Sequence, residues 1–121
     1  MSSIPVAVIQ LDAQDHIDEN RTKAISLVDK ASSQGAQLIV LPEAIVCLGS
    51  LDKRQAAAEP LAGPTATMLR EAAKRNNIYL VGGSFLEKQE GQDKVYNTCL
   101  FIGPDGNVIS VYRKIHLFKI D

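Results

Sequence analysis

The sequence predicts an α/β fold on a mixed sheet, two βαβ units followed by an antiparallel hairpin, and three observations carry that expectation. Short apolar runs at residues 4–11, 38–41 and 78–81 are separated by segments of helical periodicity. The first run is apolar in both of its alternating sets, Ile4/Val6/Val8 and Ala7/Ile9/Leu11, which suits a strand covered on both faces. Beyond Gly83 the helical periodicity ends and apolar runs alternate with turn residues, the pattern of a hairpin.

Each element has its own local cause. After the first strand, Asp18 is placed to cap a helix in which Ala24, Val28 and Ala31 recur at helical spacing, until Gly35 ends it. Glu19 and Lys23 stand four apart on its wet side, the spacing of a helical ion pair. The run Leu38-Ile39-Val40-Leu41 reads as a buried strand stopped by Pro42, which has no N–H to give to a ladder. Gly63-Pro64 announces the second crossover helix, with Thr65, Met68, Leu69, Ala72 and Asn76 on one face and Arg70, Glu71, Lys74 and Arg75 on the other. Asn76-Asn77 tolerates the left-handed conformation that closes a helix, and residues 78–81 then form a third strand running into Gly82-Gly83. Residues 87–94 read as a solvated loop, 96–102 as a strand, Pro104-Asp105-Gly106-Asn107 as a turn and 108–112 as the last strand. No closing helix follows to cover the apolar faces of such a sheet. A bare face favours self-association, so residues 1–121 are expected to be one partial domain of something larger.

Composition narrows the function classes. With 13 Lys and Arg against 14 Asp and Glu the net charge is -1, so there is no electrostatic footprint for nucleic acid or an anionic membrane surface. The longest apolar stretch, residues 38–49, is interrupted by Pro42 and Glu43 and falls short of the roughly 20 residues a membrane helix needs. No basic residue precedes the first apolar run, as a secretory signal would require, and the reading is a cytoplasmic protein. Cys47 and Cys99 are too few for a disulfide framework and have no neighbouring His or Cys to make a zinc site, so reduced thiols and no cofactor are expected.

Two charged residues stand where charge is unexpected. Glu43 follows a buried strand at the carboxyl edge of the sheet, where α/β folds present side chains to a ligand crevice. Its apolar neighbours Leu41, Ile45 and Val46 would desolvate it and raise its pKa toward that of a general base; the alternative is a loop carboxylate capping a backbone N–H. Lys114 closes the last strand before the apolar Ile115. It could sit beside Glu43 and stabilise an oxyanion, or snorkel with its stem on apolar surface and its head in water. His116, between Ile115 and Leu117, is a base, a ligand or a hydrogen-bonded packing residue. Cys99 lies mid-strand without a cationic sequence neighbour and reads as a small hydrophobe. Cys47 is nearer to Glu43, although four residues of chain span up to roughly 13 Å. Gly82-Gly83 fits no phosphate-binding pattern and points to tight packing at a strand end.

The segments Leu41-Pro42-Glu43-Ala44, Ile78-Tyr79-Leu80-Val81-Gly82-Gly83-Ser84, Tyr96-Asn97-Thr98, Gly103-Pro104-Asp105-Gly106 and Tyr112-Arg113-Lys114-Ile115-His116-Leu117-Phe118 together resemble the nitrilase superfamily of carbon-nitrogen hydrolases, in order and across the whole chain. The later segments most resemble its omega-amidase and deaminated-glutathione amidase branch, although Lys119 stands where that branch usually has Asp. The resemblance implies an αββα sandwich, of which this would be the N-terminal half, and a Glu-Lys-Cys triad that hydrolyses small carboxylic-acid amides to acid and ammonia. Glu43 then corresponds to the general base and Lys114 to the oxyanion-stabilising lysine. The family's nucleophilic cysteine, a further glutamate and the dimerisation helices belong to a segment downstream of Phe118, so the chain by itself is expected to be inactive. A noncatalytic α/β binding module and a nonfunctional truncated product are the alternatives.

Overall fold

The computed structural model describes residues 2–114. The chain runs β1 (Val6–Val8), α1 (Ile17–Ser33), β2 (Leu38–Val40), α2 (Leu51–Ala56), α3 (Pro64–Asn76), β3 (Tyr79–Val81), β4 (Phe85–Lys88), β5 (Val95–Ile102) and β6 (Val108–Arg113). β1, β2 and β3 pair in parallel through α1 and α3, which makes the two βαβ units. The long β5 runs antiparallel to them; its C-terminal part pairs β3, its N-terminal part β4, and its other edge β6. The mixed α/β architecture is thus the one the sequence predicts. None of the described helices is long and apolar enough to cross a membrane.

Alternation along each strand divides the sheet into two unlike faces. Ile39, Leu80, Leu100 and Ile102 point toward α1 and α3 and are buried with Ala24, Val28, Leu69, Ala72 and Ala73. On the opposite face stand Val6, Val8, Tyr79 and Tyr112, which no element among the described residues covers: Val8 is 80% exposed. The expectation that the first strand is covered on both faces is therefore corrected. β1 has the apolar pattern of a doubly covered strand, but among the described residues helices lie on one side alone.

Local differences from the sequence reading have local causes. α1 starts at Ile17, one residue before Asp18, with His16 at its N-cap and no side-chain cap bond. Asn20 supplies the polar contacts there, accepting from the Gln14 N–H and donating to the Gln14 and Val46 carbonyls. Glu19 and Lys23 form no ion pair; Arg21 instead reaches the buried Glu59 at 2.8 Å. α2 is a six-residue helix the sequence pattern did not reveal, capped by Ser50 on the Lys53 N–H. The start of α3 has no side-chain cap from Gly63, and Glu59 takes that part by accepting from the Thr65 N–H at 2.6 Å and its hydroxyl at 2.8 Å. Asn77 closes α3 in the left-handed region, φ 53°, as expected.

The expected solvated loop at residues 87–94 is corrected at its beginning. Residues 85–88 are β4, and Glu87 is only 2% exposed. A carboxylate is that deeply buried only when paired, and Arg113 on β6 provides a two-pronged contact at 2.8 and 3.0 Å while the Thr98 hydroxyl adds a third bond.

Candidate active site

The loop after β2 is where the backbone does something unusual. Ala44 has φ 61°, a left-handed conformation that costs a residue with a Cβ of order 1 kcal/mol or more. Ser84 holds it there, accepting from the Ala44 N–H at 2.8 Å through its hydroxyl and from the Ile45 N–H at 3.0 Å through its carbonyl. Gly83 makes the close approach possible: a Cβ at this position, itself at φ 68°, would collide with the Pro42 carbonyl oxygen. On the far side Asn20 grips the Val46 carbonyl at 2.8 Å. The reversal sends Ile45 and Val46 into the core and Glu43 outward.

Glu43 is consequently 61% exposed. The desolvation expected from its apolar sequence neighbours does not occur, because the turn at Ala44 points them away from it. What the carboxylate does meet is Lys114. The Lys114 ammonium, 33% exposed, donates to Glu43 Oε2 at 3.3 Å across 71 residues of sequence. The two stand on the wall of an open groove of about 290 Å³, whose other sides include Asn97, Cys99 and Tyr112 on the bare face of the sheet.

Lys114 owes its position to groups around it. Its backbone N–H donates to the Asn97 carbonyl at 2.9 Å, which prolongs the β5–β6 pairing by one residue. Immediately before it, Arg113 is anchored by Glu87, so the end of β6 is fixed from within the sheet. The Arg113 guanidinium holds the Glu87 carboxyl below its ordinary range, with the Thr98 and Gln89 hydrogen bonds assisting and burial opposing. Sequence reading missed Asn20, Ser84, Glu87 and Arg113 as supports of the site. Ser84 and Arg113 lie inside the quoted motifs, which is the signal that was present.

Cys99 lines the same groove as Lys114, a proximity that its strand neighbours did not reveal. Burial pushes its thiol up, the wrong direction for a thiolate. Cys47 is buried and lines, with Glu43, Ser84 and Asn97, an adjoining pocket of about 100 Å³. His116 and the rest of its motif lie outside the described residues.

Glu43, just past the carboxyl end of the parallel β2, and Lys114, at the end of β6, thus meet on the face of the sheet opposite α1 and α3. Residues 5–121 match the carbon-nitrogen hydrolase family, and the chain belongs to that family. It is 42% identical over 121 residues to omega-amidase NIT2 of Mus musculus and 41% to that of Homo sapiens, in each case covering all of this chain and 43% of the relative. A third relative, nitrilase homolog 2 of Dictyostelium discoideum, is 44% identical over 115 residues, 95% of this chain and 35% of that protein. Among solved structures, Nit3 of Saccharomyces cerevisiae superposes with a TM-score of 0.83 at 29% identity, covering 93% of this chain and 44% of Nit3. XC1258 of Xanthomonas campestris, a CN-hydrolase superfamily protein, does so at 0.83 and 28%, covering 98% and 43%. The chain therefore spans less than half the length of these relatives.

Proposed function

We propose that residues 1–121 are the N-terminal part of an amidase domain that hydrolyses small carboxylic-acid amides to acid and ammonia, with Glu43 as general base and Lys114 as the oxyanion-stabilising cation. The observation that carries this reading is the 3.3 Å contact between the Lys114 ammonium and the Glu43 carboxylate at the edge of an open groove. In the proposed reaction Glu43 removes the proton of a cysteine thiol, and the thiolate sulfur bonds to the amide carbon. The carbonyl electrons move to oxygen beside Lys114, and ammonia departs when they return, the amide nitrogen taking the proton Glu43 had accepted. Water, deprotonated by Glu43, then adds to the thioester carbon, the C–S bond breaks to release the acid, and the cysteine sulfur takes the proton back from Glu43. Lys114 stabilises the oxyanion in both halves, as a fixed cation close to where negative charge develops.

The attacking thiol in this proposal comes from outside these 121 residues. Cys99 is held in the strand ladder with its thiol pushed up by burial, and Cys47 is packed in the core. The 121-residue chain is expected to release no ammonia from glutaramate. A polypeptide carrying these residues together with the cysteine-bearing segment of the family is expected to do so. In that polypeptide Glu43→Gln or Lys114→Met lowers kcat by about 10²–10⁴. Ammonia release by the 121-residue chain that disappears in Cys47→Ala would overturn the assignment.

A further inference from the structure

Asn97 lies between the elements that carry the two charges of the site. On one edge of β5 it opposes Leu86 of β4; on the other, the pairing of Thr98 with Arg113 carries on to set Lys114 opposite Asn97, and the Lys114 N–H donates to the Asn97 carbonyl at 2.9 Å. Residues opposed across antiparallel strands project on the same face, with Cβ atoms roughly 5 Å apart. Asn97 and Lys114 accordingly line the same groove, next to the Cys99–Tyr112 pair. Asn97 also borders the adjoining pocket of about 100 Å³, and Glu43 and Ser84 line both spaces with it. It is half-buried, and among the described residues its carboxamide has no hydrogen-bond partner, unlike those of Asn20, Asn76 and Asn107.

The Glu43–Lys114 contact needs such a neighbour. At 3.3 Å it is longer than the about 2.7–2.9 Å of a strong charge-assisted bond, and both groups are partly exposed. Lys114 carries its charge on a flexible four-carbon stem with three rotatable donors. In the proposed reaction Glu43 takes up a proton, and the Coulomb attraction is lost at the moment when Lys114 has to stay beside the developing oxyanion. A carboxamide survives that change, because its Oδ1 accepts, its Nδ2 donates and neither end titrates. Ser84 cannot substitute for it, since its hydroxyl already accepts from the Ala44 N–H. We propose that Asn97 is a positioning residue for the pair, its Oδ1 accepting from the Lys114 ammonium and its Nδ2 donating to the Glu43 carboxylate, so that Lys114 keeps its place when Glu43 is protonated. This rests on the amidase reading above and adds the residue that holds the two charges together through the reaction.

The first test is an NMR pH titration of the isotope-labelled 121-residue chain. Glu43 is the one carboxyl among the described residues lining the two spaces, the other ionisable side chains there being Cys47, Arg54, Cys99, Tyr112 and Lys114. The Asn97 Nδ2 proton resonances are therefore expected to move as Glu43 is protonated, and to lose that dependence in Glu43→Gln. Asn97→Leu keeps the size of the side chain and removes both hydrogen-bonding ends; the order parameter at Lys114 Cε is expected to fall in it while the amide dispersion of the folded chain is kept. The second test is kinetic, in the polypeptide that also carries the cysteine-bearing segment. There Asn97→Leu is expected to lower kcat for glutaramate about 10–100-fold with KM within about three-fold of the natural value, and Asn97→Gln to recover part of the loss. Asn97 resonances indifferent to Glu43, a Lys114 side chain equally ordered in Asn97→Leu, or an unchanged kcat would overturn the proposal. The titration of the natural chain decides the matter even where Asn97→Leu does not fold. A natural polypeptide that releases no ammonia overturns the amidase reading instead, and the NMR arm still decides whether Asn97 bridges the pair.

Discussion

The two faces of one sheet are made by the same strands yet differ in almost every physical respect. Toward α1 and α3, Ile39 and Leu80 are fully buried beside Leu69 and Ala72. Toward solvent, Val8 on β1 and Tyr79, next to Leu80, lie open, and the groove with Glu43 and Lys114 is on that side. The covered face holds the fold together, while the open face carries the groove with Glu43 and Lys114 and contributes little to the stability of these residues. An apolar strand pattern therefore reports which surfaces are suited to burial, not which are buried within a given stretch of chain.

Substitutions on the two faces test that division. Leu80→Ala removes a fully buried side chain between the sheet and α3 and is expected to cost about 2–5 kcal/mol in a urea denaturation series. A cost below about 1 kcal/mol would show that the covered face is not the main source of stability. Next, Arg113→Met strands the buried Glu87 carboxylate; a loss of about 3 kcal/mol is expected, near the low end for a broken buried pair because Arg113 is itself partly exposed.

The same pair predicts a pH dependence. The Glu87 carboxyl is held below its ordinary 4.5, so the stability it contributes is present above that value and is lost as pH falls below it. The stability difference between the natural chain and Glu87→Gln should shrink between about pH 5 and about pH 3, and a difference that grows on acidification would contradict the assigned direction.

Smaller effects sharpen the comparison. Ser84→Ala leaves the Ala44 N–H without its acceptor and is expected to cost about 1–2 kcal/mol, with amide exchange at Ala44 and Ile45 accelerated before that of the strands. Val8→Ala, on the open face, is expected to stay within about 0.5 kcal/mol of the natural chain in the same denaturation series. A Val8→Ala cost equal to that of Leu80→Ala would erase the distinction between the faces.

How much of this was legible in the sequence depended on the distance between the cause and the residue it acts on. α1, α3, the two parallel crossovers and the final hairpin follow from periodicity and nearby turn residues, and all were readable. β4 was not, because what allows Glu87 into a strand is Arg113, 26 residues further along. α2 escaped because six residues are too few for a periodic pattern to stand out. At the site, Glu43 and Lys114 were noticed as charges at the border of apolar runs, and the structure brings them to 3.3 Å. The exposure of Glu43 was misread because the left-handed turn at Ala44 redirects its neighbours, and an alanine gives no sign of that geometry.

The Glu43–Lys114 contact bridges 71 positions of chain. Closing so long a loop is entropically unfavourable until the intervening elements have docked, so this contact belongs to the last events of folding rather than to its nucleus. During synthesis the carboxylate emerges well before its partner and waits through the translation of α2, α3 and four further strands. The two charges are thus brought together by a scaffold already built, which makes their pairing a readout of completed folding and not a driver of it.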